Sequence, residues 1–372
     1  MGTLRFILAV AVATVHSGCF WGYCVFPGAQ AVQLFFIVSG FLMALILNEK
    51  YDPENKWLFY SNRALRIFVP YIFVLAASLL AVFPFVHAFG YYPTYAAPLF
   101  QSAPAFDFWT WVFVIFSTLA IFGQDAGLWL GFDGHLFLSS QFLPGPVPVH
   151  SLQLLPQAWS ISLELMFYAI APFLVRRHVL LLLAIVVGCS VLQTIAYEFG
   201  LKGEPWGYRF IAFELSRFML GALAYRLYAL TRHWPIWRKS VCVPVAVLVL
   251  SCVLLQVPAD KPRMLYIFMT LAMPFLFLVG NCFKFDGWLG ELSYPIYLIH
   301  WPLISIILPI VGNSQPLSLW AVPATIVLSV LFVVLVDRPL DRARQQRLRA
   351  RKAVTGELAP YLVMPDSVGL KR

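Results

Sequence analysis

The stretch Leu4-Arg5-Phe6-Ile7-Leu8-Ala9-Val10-Ala11-Val12-Ala13-Thr14-Val15-His16-Ser17-Gly18-Cys19-Phe20-Trp21-Gly22 decides how this chain is read. It is an apolar run long enough to cross a bilayer, yet it carries Arg5 near its start and His16 deep inside. A helix turns about 100° and rises about 1.5 Å per residue, so the eleven-residue offset sets both side chains on nearly one face, about 16 Å apart along the axis. An ionisable group at that depth is costly in lipid. It either faces a polar cavity on a functional path or hydrogen-bonds to a neighbouring helix.

The run is not isolated. The chain is 61% hydrophobic and 12% charged, where soluble domains average roughly a quarter charged. Its mean hydropathy is +0.80. Apolar runs matched to a hydrocarbon core of about 30 Å recur along the whole length, without the short alternating segments of a strand barrel. Expected spans are 4–22, 29–48, 66–87, 158–175, 179–198, 209–230, 241–257, 264–282, 290–311 and 317–336.

An eleventh stretch, Phe108 to Gly123, is short, and charge bias decides whether it crosses. If it does not, 21 of the 26 Lys and Arg lie on the inner side and only Lys202, Arg209, Lys261 and Arg263 lie outside. If it does, the inner count falls to 9 against 16. The expected fold is an all-α integral membrane protein of about ten transmembrane helices, both termini cytoplasmic, with 108–123 re-entrant or interfacial. Residues 1–340 form one membrane domain and 341–372 a basic cytoplasmic tail.

The +9 net charge is accounted for by this inside bias, with Arg338 to Lys352 as a lipid-facing anchor, and no nucleic-acid partner is expected. Val15-His16-Ser17-Gly18-Cys19 faintly resembles a lipoprotein cleavage site. The histidine stands where an aliphatic residue belongs, and a second span follows, so residues 1–22 are expected to stay as a helix. Cys19 and Cys24 lie near the outer face and are candidates for a disulfide, while Cys189, Cys242, Cys252 and Cys282 read as packing residues. No Cys/His group has metal-ligand spacing, and no bound metal or cofactor is expected.

The largest non-spanning region, about 88–157, is outer, aromatic and nearly uncharged, with Asp107, Asp125, Asp133, His135 and His150. A region this long and aromatic is either an interfacial belt or a cap over an outer cavity that binds sugar.

Polar residues in or beside the spans form a short series. Arg5 and His16 lie on span one and Ser39 in Phe35-Phe36-Ile37-Val38-Ser39-Gly40-Phe41 on span two. Arg63 and Arg66 enter span three in Arg63-Ala64-Leu65-Arg66-Ile67-Phe68-Val69-Pro70. Glu164 lies in Trp159-Ser160-Ile161-Ser162-Leu163-Glu164-Leu165-Met166-Phe167-Tyr168. Glu214 and Arg217 sit one turn apart and pair with each other in the simplest reading. Tyr297 and His300 follow in Ser293-Tyr294-Pro295-Ile296-Tyr297-Leu298-Ile299-His300-Trp301-Pro302.

Taken in order, Arg-x10-His, Phe-Phe-x-x-Ser-Gly-Phe, Arg-x-x-Arg-x-x-x-Pro and the last two segments resemble the membrane-bound acyltransferase 3 family, over nearly all ten spans. The resemblance implies transfer of an acyl group, commonly acetyl, from cytoplasmic acyl-CoA to a hydroxyl of an exported or cell-surface glycan. It also implies a bacterial cytoplasmic (inner) membrane location. The fused extracytoplasmic esterase-like domain of many relatives is not expected in a chain of this length. Arg63 and Arg66, with Arg5, are expected to bind the phosphates of acyl-CoA; taken in isolation the pair reads as positive-inside anchoring, and the resemblance reverses that weighting.

His16 is expected to act as general base on the acceptor hydroxyl, with Glu164 as its orienting partner. Ser39 and Tyr297 are expected to line the site and donate to the oxyanion, and His300 to serve as site wall or packing. The expected partners are acyl-CoA as donor substrate, a glycan or lipid-linked glycan acceptor, and membrane lipids. The rival classes are a glycan-precursor transporter or flippase and a membrane glycan polymerase. The first lacks inverted-repeat symmetry here, the second the charged outer loops it needs.

Overall fold

A computed structural model of the chain describes residues 1–24, 26–51, 56–233, 262–312 and 316–354. The helices are α1 (Gly2–His16), α2 (Gly28–Glu49), α3 (Lys56–Phe89), α4 (Ala97–Ser102), α5 (Phe108–Ala120), α6 (Trp159–Leu174), α7 (Val179–Glu198) and α8 (Ile211–Thr231). They continue as α9 (Pro262–Gly280), α10 (Asp286–Val311), α11 (Ser318–Phe332) and α12 (Arg338–Val354), the last two joined by a π turn at Val333–Asp337. The expected span 241–257 lies outside the described residues.

The protein is a mostly helical, multi-pass membrane protein. Among the described residues, six helices are long and apolar enough to cross a membrane: Gly28–Glu49, Lys56–Phe89, Val179–Glu198, Arg263–Gly280, Asp286–Val311 and Ser318–Arg347. Helices α1 and α6 are shorter, with 15 and 16 residues. Helix α5 has 13 residues, about 20 Å at about 1.5 Å per residue, too short to cross a core of about 30 Å. Helix α3 runs ten residues further toward the N-terminus than the expected span, so Arg63 and Arg66 sit on a rigid helix rather than in its approach.

The first apolar run is also shorter than expected. Helix α1 ends at His16, because Gly18 takes a left-handed φ of 86° and Cys19 follows at 61°. A Cys19–Cys24 disulfide closes the turn, Ser318 donates to the Cys19 carbonyl at 2.6 Å, and α2 starts behind Pro27. His16 therefore lies at the far end of its helix, not half-way along it. The near end is held by Asp286, whose carboxylate accepts from the backbone N–H of Gly2 at 2.8 Å, that of Thr3 at 2.9 Å and the Thr3 hydroxyl at 2.8 Å. This carboxylate at a helix start satisfies donors that have no intrahelical partner.

Helix α2 forms the centre. It packs against α8 through reciprocal glycines: a Cβ on Gly40 would lie 2.0 Å from the Phe218 carbonyl oxygen, and one on Gly221 2.0 Å from that of Ile37. Small residues let the two backbones approach in this way. The buried core runs through Leu34, Ile37, Phe41, Phe59, Tyr71, Phe167 and Phe218.

The region 88–157 is not purely helical. Strands β1 (Leu130–Phe132), β2 (Leu136–Leu138) and β3 (Val147–Pro148) form a small antiparallel sheet in the order β2-β1-β3. The region is pinned to the helices: Thr94 donates to Ser305 at 2.7 Å and Gln157 to the Leu298 carbonyl at 2.8 Å.

Candidate active site

Three polar positions one turn apart, Ser160, Glu164 and Tyr168, form a stripe on the apolar helix α6. The stripe faces a cavity of about 270 Å³ between α1, α2, α3, α6 and α10. Its wall brings together Arg5, Ser39, Arg63, Arg66, Glu164 and Tyr297, six of the eight residues singled out in the sequence. His16 and His300 do not line it.

The charge in this cavity is unbalanced. Among the described residues, none of the three guanidinium groups forms an ion pair, and the buried Arg63 Nε has no hydrogen-bond partner. Glu164 is the one carboxylate in the wall. Its Oε1 accepts from Ser39 at 2.6 Å and from Tyr168 at 2.5 Å. Three cations against one anion make the cavity suited to a polyanionic ligand such as a phosphate group.

Glu164 therefore does not orient His16. Its two hydrogen bonds stay within the cavity, whereas His16 Nδ1 lies 2.9 Å from His300 Nε2. The two hydroxyls expected to face an oxyanion are also engaged. Ser39 gives its proton to Glu164, and Tyr297 gives its own to the Gln157 carbonyl at 2.8 Å while lying 2.6 Å from Ser160 Oγ. In this arrangement both are hydrogen-bonded walls of the cavity, not free donors.

Tyr297 separates the cavity from the histidine pair. Its ring centroid is 5.8 Å from that of His300 and 6.5 Å from that of Phe35, another wall residue. Beyond it His300 is fully buried, while His16 is exposed at the opposite end of α1 from Arg5. The sequence reading did not single out Tyr168 or Ser160. The signal was the polar i, i+4, i+8 spacing on α6, with an i, i+4, i+7 series of Ser293, Tyr297 and His300 on α10.

The region 88–157 contributes structure. Asp107 caps α5 by accepting from Thr110 N–H at 2.8 Å, and Asp125 accepts from Ser162 at 2.7 Å, with burial pushing the Asp125 carboxyl up. Neither is a free carboxylate for a sugar. Burial, and then the charge of Arg209, push the His150 imidazole down to about 3. Arg209 lies 4.5 Å from the Trp159 ring centroid and pairs with Glu204 at 3.0 Å. Glu214 and Arg217 do approach each other, at 3.8 Å, while Gln33 donates to Glu214 at 2.8 Å.

A family model described as an acyltransferase domain, Acyl_transf_3, matches residues 2–338, almost the whole membrane region. The peptidoglycan O-acetyltransferase OatA of Listeria monocytogenes is 25% identical to 91% of the chain. The chain spans about 55% of the length of that curated relative. No solved structure matches the chain. The residue series, the cationic cavity and this match agree: the chain belongs to the membrane-bound acyltransferase 3 family.

Proposed function

We propose that this protein moves an acyl group, most simply acetyl, from cytoplasmic acyl-CoA to a hydroxyl of an exported or surface glycan at the far side of the membrane. One observation carries this reading. A cavity with three arginines that form no ion pair among the described residues ends at Tyr297, and directly behind Tyr297 stand two histidines, the outer of which is exposed. The phosphates of acyl-CoA pair with Arg5, Arg63 and Arg66, and its pantetheine arm carries the thioester toward Tyr297 and the histidines.

The acceptor hydroxyl arrives from the other side. His16 takes its proton as the oxygen attacks the thioester carbonyl, forming the C–O bond. The C–S bond breaks, and the proton passes from the His16 imidazolium to the departing CoA sulfur. His16 ends neutral, ready for the next turnover. A glycan hydroxyl of peptidoglycan, the substrate in the relative's name, is one acceptor of this class.

The same reading gives a ten-span topology with both termini and the Arg5 end cytoplasmic, in a bacterial inner membrane. Two features support it. Lys50, Lys56, Arg63, Arg66, Arg176 and Arg177 cluster at the ends of α2, α3 and α6 that share a side with Arg5, as the positive-inside rule requires. The disulfide lies at the opposite end of α1, and disulfides persist in oxidising compartments.

The test uses the full chain in proteoliposomes with acetyl-CoA and a peptidoglycan-derived or polysaccharide acceptor. Free thiol and glycan ester are expected to appear in equal amounts, and His16→Ala, correctly inserted, to abolish both. Transfer that survives His16→Ala would remove the catalytic assignment.

A further inference from the structure

The geometry points to His300 as a positioning residue that fixes the tautomer of His16 and so exposes the lone pair of His16 Nε2; this deepens the reading of His16 as the base and rests on it. The argument begins at a backbone carbonyl. His300 Nδ1 lies 3.2 Å from the Ile296 oxygen, one helical turn earlier on α10. A carbonyl oxygen only accepts, so the bond exists only if His300 Nδ1 carries the proton.

The rest follows by elimination around two rings. A neutral imidazole has one N–H and one bare nitrogen, so His300 Nε2 is an acceptor. Facing it at 2.9 Å is His16 Nδ1, which must then be the donor. That leaves His16 Nε2 bare, on the edge of the ring turned away from His300. The two rings are parallel within 4° with centroids 5.1 Å apart. This separation is what a 2.9 Å hydrogen bond between coplanar rings requires once the two ring radii are added. The rings meet edge to edge, so the N–H points straight along the lone pair.

Burial makes the relay directional. His300 is fully buried and His16 is exposed, and Trp301 packs against the His16 ring at 88° with centroids 5.0 Å apart. The titratable groups that face His300 are His16 and the phenol ring of Tyr297, whose proton goes to Gln157. No carboxylate touches either imidazole among the described residues. His300 thus takes the orienting role that a carboxylate has in a hydrolase triad, using a neutral acceptor anchored on the helix backbone. When His16 receives the acceptor proton on Nε2, its Nδ1–H still donates to His300, so the base is held in place through the proton transfer.

Four variants and one spectrum test this. His300→Phe keeps an aromatic ring in the space and removes the acceptor; kcat is expected to fall about 100-fold, the low end of what a positioned base supplies, with KM for acetyl-CoA unchanged. His300→Gln, whose amide oxygen still accepts from His16 Nδ1, is expected to recover most of the loss. The ring nitrogens of His16, assigned in 15N-histidine-labelled protein by comparison with His16→Asn, are expected to show the Nδ1–H form, and His300→Phe to shift the population toward Nε2–H. Wild-type kcat in His300→Phe, no recovery in His300→Gln, or an Nε2–H tautomer in the native protein would each overturn the assignment. Activity retained in His16→Ala would instead remove the base reading itself, whatever the His300 variants do.

Discussion

Ser39 donates to Glu164 at 2.6 Å across 125 positions of chain, joining α2 to α6 inside a cavity lined by Arg5, Arg63 and Arg66. Removing either partner breaks the link between the two helices, so their effects on stability are coupled. Ser39→Ala, Glu164→Ala and the double variant, compared by thermal unfolding in detergent, are expected to give a coupling energy of about 1–2 kcal/mol. Simple additivity would show that this bond does not hold the two helices.

The arginines are expected to act on donor binding. Each charge-assisted hydrogen bond to a phosphate is worth about 1.5–3 kcal/mol, so Arg63→Ala and Arg66→Ala should each raise KM for acetyl-CoA roughly 10- to 100-fold. The loss should appear in KM more than in kcat, because phosphate contacts are made equally in ground and transition states. Steady-state kinetics of correctly inserted variants at fixed salt checks this; an unchanged KM would place the donor elsewhere.

Helix approach between α2 and α8 sets the position of Ser39. A Cβ on Gly221 would lie 2.0 Å from the Ile37 carbonyl oxygen, which is backbone and cannot swing aside. Gly221→Val is expected to cost at least about 1–3 kcal/mol as an overpacked contact, and to lower activity together with the melting temperature. Equal melting temperatures for variant and parent would contradict so close a crossing.

Acid should loosen the outer region. His150 is held neutral in the folded state, at about 3, against an ordinary histidine value of 6.5. The unfolded chain therefore binds a proton that the folded chain refuses. Its contribution is intact above about pH 6.5 and is lost as pH falls toward 3, at up to about 1.4 kcal/mol per pH unit. His150→Gln should flatten this slope in unfolding curves between pH 6.5 and 5; an unchanged slope would assign the acid sensitivity to other groups.

Much of the fold was legible in the sequence because crossing a bilayer is a local requirement. A run of apolar residues must satisfy its own backbone within the segment, so length and hydropathy reveal it without knowledge of neighbours. Helices α2, α3, α7, α9, α10 and α11 answer to that rule. The end of α1 at His16 was less legible, because Gly18 and the disulfide stop a run whose hydropathy continues to Gly22.

The sequence by itself determined which residues stand out: Arg5, His16, Ser39, Arg63, Arg66, Glu164, Tyr297 and His300 are polar groups in apolar surroundings. Only the tertiary structure decided who meets whom. Glu164 turned to Ser39 and Tyr168, and His16 found His300 across 284 positions of chain. The physical reason is that burial cost is a property of one residue and its segment, whereas a hydrogen bond of 2.9 Å depends on how two helices far apart in sequence are rotated and pressed together.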